Sequence, residues 1–137
     1  MVFAFDLTQF REEELLSNSD CGFLFVRCMD HRLNDVWVRF LGTFGLRPER
    51  TDYDELRIAG GAKNVAEVLA HLKVAFNKHG VRKIILTVHE DCAGGAVEND
   101  LFRARAEIRS ANYIGLEVRL FYFYRSGSKW AWRDMTN

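Results

Sequence analysis

The sequence predicts an α/β protein: a single domain with a central, mostly parallel β-sheet of about four strands, flanked by helices. Three observations predict it. The runs over 22–27, 81–88 and 116–124 are almost continuously apolar, which suits strands covered on both faces better than strands with one wet face. Between them lie stretches of a dozen residues or more with apolar side chains at three- and four-residue spacing, the period of a helix packed along one side. Strands separated by helices of that length pair in parallel, because each crossover needs room for a helix. No repeat, low-complexity tract or long linker divides the chain. We read 1–19 as a helical arm, 20–128 as the core and 129–137 as a tail.

Each element has its own signal. Thr8 can cap a short helix through Leu16, with Glu12, Glu13 and Glu14 in its early turns, where the helix dipole favours acids. Asn18-Ser19-Asp20 ends it, and the first strand covers 22–27. Over 33–44, Val36, Trp37, Phe40, Leu41 and Phe44 share one helical face, and Gly45 stops the helix. The only proline marks a loop over 47–52, and 53–58 is a short strand running into Ala59-Gly60-Gly61. A helix over 64–79 ends at Gly80, and the next strand covers 81–88. Gly94-Gly95 breaks the chain before a charged helix over 97–111 with Leu101, Ala104 and Ile108 inward. The last strand covers 116–124, ahead of a Ser126-Gly127-Ser128 turn and a tail carrying Trp130 and Trp132.

Composition narrows the function. The chain has 137 residues, enough for one buried core, and Lys plus Arg equals Asp plus Glu at 19 each. With no net field, nucleic acid and anionic membranes are excluded as partners. No stretch approaches the about 20 apolar residues that cross a bilayer, and the start has no positively charged segment of a signal peptide. Three cysteines, an odd number, argue against a disulfide framework and for reduced thiols in the cytoplasm. Hydrophobic residues make up 48% and aromatics 13%, a surplus that suits burial against a second copy of the chain.

The chemistry concentrates at two strand ends. Cys28-Met29-Asp30-His31-Arg32 follows the first strand, and His89-Glu90-Asp91-Cys92 follows the third. In open α/β sheets, functional groups gather beyond the carboxyl ends of strands at a topological switch point. If the two strands are neighbours, the clusters meet. Zinc takes thiolate and imidazole ligands in a tetrahedron, and a catalytic site keeps one position open. Cys28, His89 and Cys92 are three such ligands, split one and two between strand ends. In an extended segment Asp30 and Arg32 point to the same side as Cys28, where a guanidinium can fork onto the carboxylate and hold it ionised.

Taken together, Cys28-x-Asp30-x-Arg32 and His89-x-x-Cys92-x-Gly94 resemble the β-class carbonic anhydrase signature. Arg57-Ile58-Ala59-Gly60-Gly61 resembles the Arg-Asn-Ala-Gly-Asn segment of that family. The likeness spans roughly residues 20 to 128 and rests on five functional positions. It implies Zn2+ held by Cys28, His89 and Cys92, with Asp30 and Arg32 as the catalytic pair that gates or assists the metal. It implies reversible hydration of carbon dioxide to bicarbonate, a lyase reaction, in a homodimer or higher oligomer. Zinc lowers the pKa of bound water to about 7, a value known from carbonic anhydrase itself. The chain departs from the family in Ile58 and Gly61, which replace two asparagines, and in Ala93, with the glycine delayed to Gly94.

Other readings stand beside this one. The same fold and zinc site can act on carbon disulfide or carbonyl sulfide, or serve a non-catalytic zinc-binding dimer with Asp30 as a permanent fourth ligand. A lone cysteine at a strand end is more often a small core residue, which is our reading of Cys21. Alternation turns His31 away from Cys28, and His71 and His79 read as helix surface. Glu90 and Asp91 read as solvated turn residues.

Overall fold

In the computed structural model, which describes residues 21–49 and 52–137, the apolar runs are indeed strands. The arm over 1–19 and its helix lie outside the described residues. The elements follow in order as β1 (Phe23–Cys28), α1 (Asn34–Gly42), β2 (Tyr53–Ile58), α2 (Val65–His79), β3 (Lys83–His89), α3 (Glu98–Ser110), β4 (Glu117–Ser126) and β5 (Lys129–Asp134). The sheet order is β2-β1-β3-β4-β5. The first four strands are mutually parallel, and β5 returns antiparallel to β4.

Burial on both faces explains the unbroken apolar runs. On one side Leu24, Val26, Ile84, Leu86 and Leu120 pack with Val68 and Leu72 of α2 and Leu101 and Ile108 of α3. On the other, Phe25, Ile85, Phe121 and Phe123 pack with Val36, Trp37, Phe40 and Leu41 of α1. Alternate residues of each strand therefore reach different layers, and neither layer is water. The second layer is aromatic: Phe40 meets Phe121 and Phe123 at ring-centroid distances of 5.0 and 4.9 Å, with near-perpendicular planes.

Two expectations need correction. The sheet has five strands rather than about four, because the tail contains β5. Trp130 and Trp132 alternate with Ala131 and Arg133, the period of a strand. The Gly127 turn, at φ +63°, brings them back along β4, with Phe123 opposite Trp132. There Trp132 covers Phe40 and Phe123, at centroid distances of 5.4 and 6.0 Å. The helix expected over 33–44 also starts later, at Asn34, because residues His31–Leu33 form a 3-10 turn capped by Asp30.

β1 is the switch point, since the chain leaves it toward β2 on one side and returns with β3 on the other. A second 3-10 turn, Gly61–Lys63, closes the space at these strand ends. A Cβ on Gly61 would sit 2.6 Å from the Thr87 carbonyl oxygen and 3.1 Å from the Cys28 nitrogen, and the residue has φ +53°. Overpacking against backbone and left-handed strain act together here, so Gly61→Ala should cost on the order of 3 kcal/mol in urea unfolding. Wild-type stability in that variant would show that the turn relaxes freely.

Candidate metal centre

The parallel pairing of β1 with β3, in register from Phe23–Lys83 to Val26–Leu86, puts their carboxyl ends together, where Cys28 and His89 end the two strands and Cys92 follows in the next turn. One ligand atom from each of Cys28, His89 and Cys92 lies within 4.8 Å of the others. Cys28 and His89 are buried and Cys92 is partly so. The Cys28 and Cys92 sulfurs are 3.9 Å apart, much too far for a disulfide. Two sulfurs each about 2.3 Å from one zinc ion at a tetrahedral angle lie about 3.8 Å apart. The pair is thus spaced to share one ion.

His89 is set up as a ligand by its other nitrogen. Nδ1 donates to the Glu90 carbonyl oxygen at 2.7 Å; a carbonyl only accepts, so the proton is on Nδ1 and Nε2 keeps its lone pair. That Nε2 is buried and has no hydrogen-bond partner. Burial also lowers the pKa of His89 and keeps the ring neutral. The nearest carboxylate oxygen, Asp30 Oδ2, is 3.8 Å away, beyond hydrogen-bond reach. Two sulfurs and an orphaned imidazole lone pair within 4.8 Å of one another call for a cation between them.

Cys28 sits under opposing influences. Burial pushes its thiol up, while the backbone amides of Asp30 and Gly60 pull it down. The Asp30 amide is available because the chain bends there, and the Gly60 amide comes from the loop after β2. Here the extended arrangement expected for 28–32 is corrected: Asp30 caps the 3-10 turn, its carboxylate accepting from the Arg32 backbone amide at 2.9 Å. The turn, rather than strand alternation, brings Asp30 to the cluster.

Arg32 then grips Asp30 from the side. Nε reaches both carboxylate oxygens at 3.1 Å, and Nη2 reaches Oδ2 at 2.7 Å. This fork holds the Asp30 carboxyl well below the usual carboxylate range. Arg32 is itself held by Asp91, through Oδ2 at 3.0 Å and the carbonyl oxygen at 2.9 Å. Asp91 therefore is more than a solvated turn residue. Its φ of +55° turns both acceptors toward Arg32, and Arg125 approaches the same carboxylate at 3.5 Å. Glu90, also read as solvated, accepts from the backbone amide of Arg125. The indole of Trp130 lies edge-on to His89 at 5.7 Å and under the Arg32 guanidinium at 5.6 Å.

The delayed glycine has a steric reason. A Cβ on Gly94 would lie 2.9 Å from the Gly60 nitrogen, so Gly94 is where the two site loops touch. Ala93 instead lines the cleft of about 570 Å³ over the cluster, with Met29, Asp30, Arg32 and Ala59.

The remaining candidates separate cleanly. The His31 side chain is 90% exposed, as its expected solvated role requires. Cys21 packs against the core, donates to the Phe23 carbonyl oxygen at 3.2 Å, and is pushed up to about 11 by burial. His71 is exposed, whereas His79 is half-buried and bonds Asp54 at 2.6 Å. Sequence reasoning missed Asp91 and Trp130. An Arg-rich hairpin with a tryptophan pair was the available signal for Trp130; Asp91 had none of its own.

Over 88% of this chain and 83% of the other, the protein superposes on a carbonic anhydrase from Streptococcus mutans, with a TM-score of 0.63 and 18% identity. It has the β carbonic anhydrase fold. A carbonic anhydrase from Glaciozyma antarctica matches with a TM-score of 0.56 and 18% identity over 90% of this chain and 89% of that one. The apo form of a carbon disulfide hydrolase matches with a TM-score of 0.51 and 12% identity over 79% of this chain and 76% of that one. No protein-family model and no curated protein matches the sequence. In this chain the Cys28–His89–Cys92 cluster lies beyond the carboxyl ends of β1 and β3, beside the switch point. Among the described residues no helix is long and apolar enough to cross a membrane.

Proposed function

We propose that this protein is a zinc lyase that interconverts carbon dioxide and bicarbonate. The observation that carries the reading is the buried, partnerless Nε2 of His89 facing the Cys28–Cys92 sulfur pair. Cys28, His89 and Cys92 would hold zinc, a fit supported by ligand types, mutual distances and the fixed tautomer of His89. Bound zinc supplies Lewis acidity, which makes water a nucleophile near neutral pH.

The chain's own residues do the rest. Arg32 keeps Asp30 ionised, with its oxygens committed to the guanidinium and one of them turned toward His89. Asp30 is thus placed to accept a hydrogen bond from the reacting water and so orient it. Asp91 and Trp130 fix Arg32, so the carboxylate does not wander. Ala59, Ala93 and Met29 give the cleft small or apolar walls suited to a neutral, linear substrate. Gly61 and Gly94 let the two loops close on the centre.

Purified protein should contain one zinc per chain and accelerate carbon dioxide hydration in stopped flow at pH 7 and 8.5. Stoichiometric zinc without acceleration would refute the reaction and leave the metal. Hydrolysis of carbon disulfide or carbonyl sulfide in its place would move the substrate within one fold. We further propose a homodimer in the cytoplasm: sedimentation at micromolar concentration should give twice the chain mass, and a monomer would reject the dimer.

A further inference from the structure

Arg27 is the one charged side chain with no exposed surface among the described residues, at 0%. It immediately precedes Cys28. A guanidinium out of water is retained only with compensating bonds, and those of Arg27 run to one place. Nε donates to the Cys28 carbonyl oxygen at 2.9 Å. Nη2 donates to the Asp30 carbonyl oxygen and to Asn34 Oδ1, both at 3.1 Å. None of these acceptors is a carboxylate. The plane lies over the Trp37 ring at 5.1 Å, and Trp37 donates through Nε1 to Glu55 at 2.5 Å. Nη1 is buried with no partner.

These bonds describe a clamp. The two carbonyls belong to the first candidate metal ligand and to the carboxylate residue beside it, and the third acceptor opens α1. The segment from Cys28 to Asn34 leaves β1, bends at Asp30 and enters the helix. Arg27 spans that bend from beneath. Packing alone would favour an apolar residue here, since the layer holds Phe25, Trp37 and Phe40. A planar fork that reaches two carbonyls and an amide oxygen at once is what an apolar residue or a lysine lacks.

We propose that Arg27 is a positioning residue of the metal centre, fixing the Cys28–Asp30 bend so that the Cys28 sulfur and the Asp30 carboxylate face the same ion. The role rests on the zinc reading above, but its test reads metal binding and not turnover. Zinc affinity is measured by competition with a chromogenic chelator, and geometry by the sulfur-to-metal charge-transfer bands of the cobalt-substituted protein. Arg27→Met should weaken zinc binding on the order of 10- to 100-fold, the usual cost of losing a residue that orients a ligand, and should shift the cobalt bands. Arg27→Lys should recover only part of the loss. Asn34→Ala, which removes one acceptor from the exposed side, should weaken binding by a few-fold and guards against misfolding of the Arg27→Met variant. Ile108→Ala, in the far layer under α3, should lower thermal stability and leave affinity and bands unchanged.

Wild-type affinity and cobalt bands in Arg27→Lys and Asn34→Ala, with only a lower melting temperature, would overturn the positioning role and leave the metal centre standing. A wild-type protein that takes up neither zinc nor cobalt would overturn both.

Discussion

Replacing His89 with alanine should abolish stoichiometric zinc binding and reduce carbon dioxide hydration to background. Two sulfurs 3.9 Å apart would remain, and two ligands hold zinc far more weakly than three in a preformed site. The effect on the metal-free chain should be smaller. His89 would lose its bond to the Glu90 carbonyl and its contact with Trp130, yet the change also removes a buried atom that had no partner. A loss of about 1–2 kcal/mol is expected for the metal-free protein. The difference between loaded proteins should be larger, because zinc at 1,000 times its dissociation constant adds about 4 kcal/mol to the wild type and little to the variant. Urea melts with zinc and with chelator, alongside metal analysis, separate the two contributions. His31→Ala, on a side chain 90% exposed, should change neither. One zinc per chain in His89→Ala would remove His89 from the ligand set.

Much of this architecture was written in local patterns, and the exceptions have physical causes. The buried strands were readable because both faces of the sheet are covered, so Phe25 and Leu24 are equally apolar although they enter different layers. The ligand trio was readable because thiol and imidazole residues are scarce and two strand ends concentrate them. β5 was missed because a six-residue strand rich in Lys, Arg and Trp has no apolar run, and only its alternation and the preceding glycine turn betray it. Asp30 was assigned to the site for the wrong reason: alternation was invoked, and a capped turn does the work. Asp91 could not be found, since its role depends on a left-handed backbone that aims two acceptors at a guanidinium 59 residues earlier. Arg27 sits in a strand and is charged, so sequence alone gives no sign that it is buried. Gly61 and Gly94 looked like departures from a motif, and the contacts a Cβ would make explain them.

Asp30→Asn should retain zinc and lose on the order of 100-fold in hydration rate, the scale of a charge-assisted hydrogen bond at the reacting group. Asparagine keeps the size and the capping ability of aspartate, so the turn over His31–Leu33 should persist and the loss should appear in chemistry rather than in folding. Arg32→Ala tests the opposite property. Arg32 engages both Asp30 oxygens, and one of them is 3.8 Å from His89 Nε2. Freed from the fork, that carboxylate has only a short rotation to reach the cluster and take the fourth position. Zinc affinity should therefore be equal to or tighter than that of the wild type, while hydration falls as far as in Asp30→Asn. The two changes act on one group, so the double variant should be no slower than Asp30→Asn alone. Multiplying losses would mean that Arg32 serves the reaction independently of Asp30, for instance by binding the anionic product. Weaker zinc in Arg32→Ala would mean that the guanidinium holds the site together instead of holding Asp30 away from it.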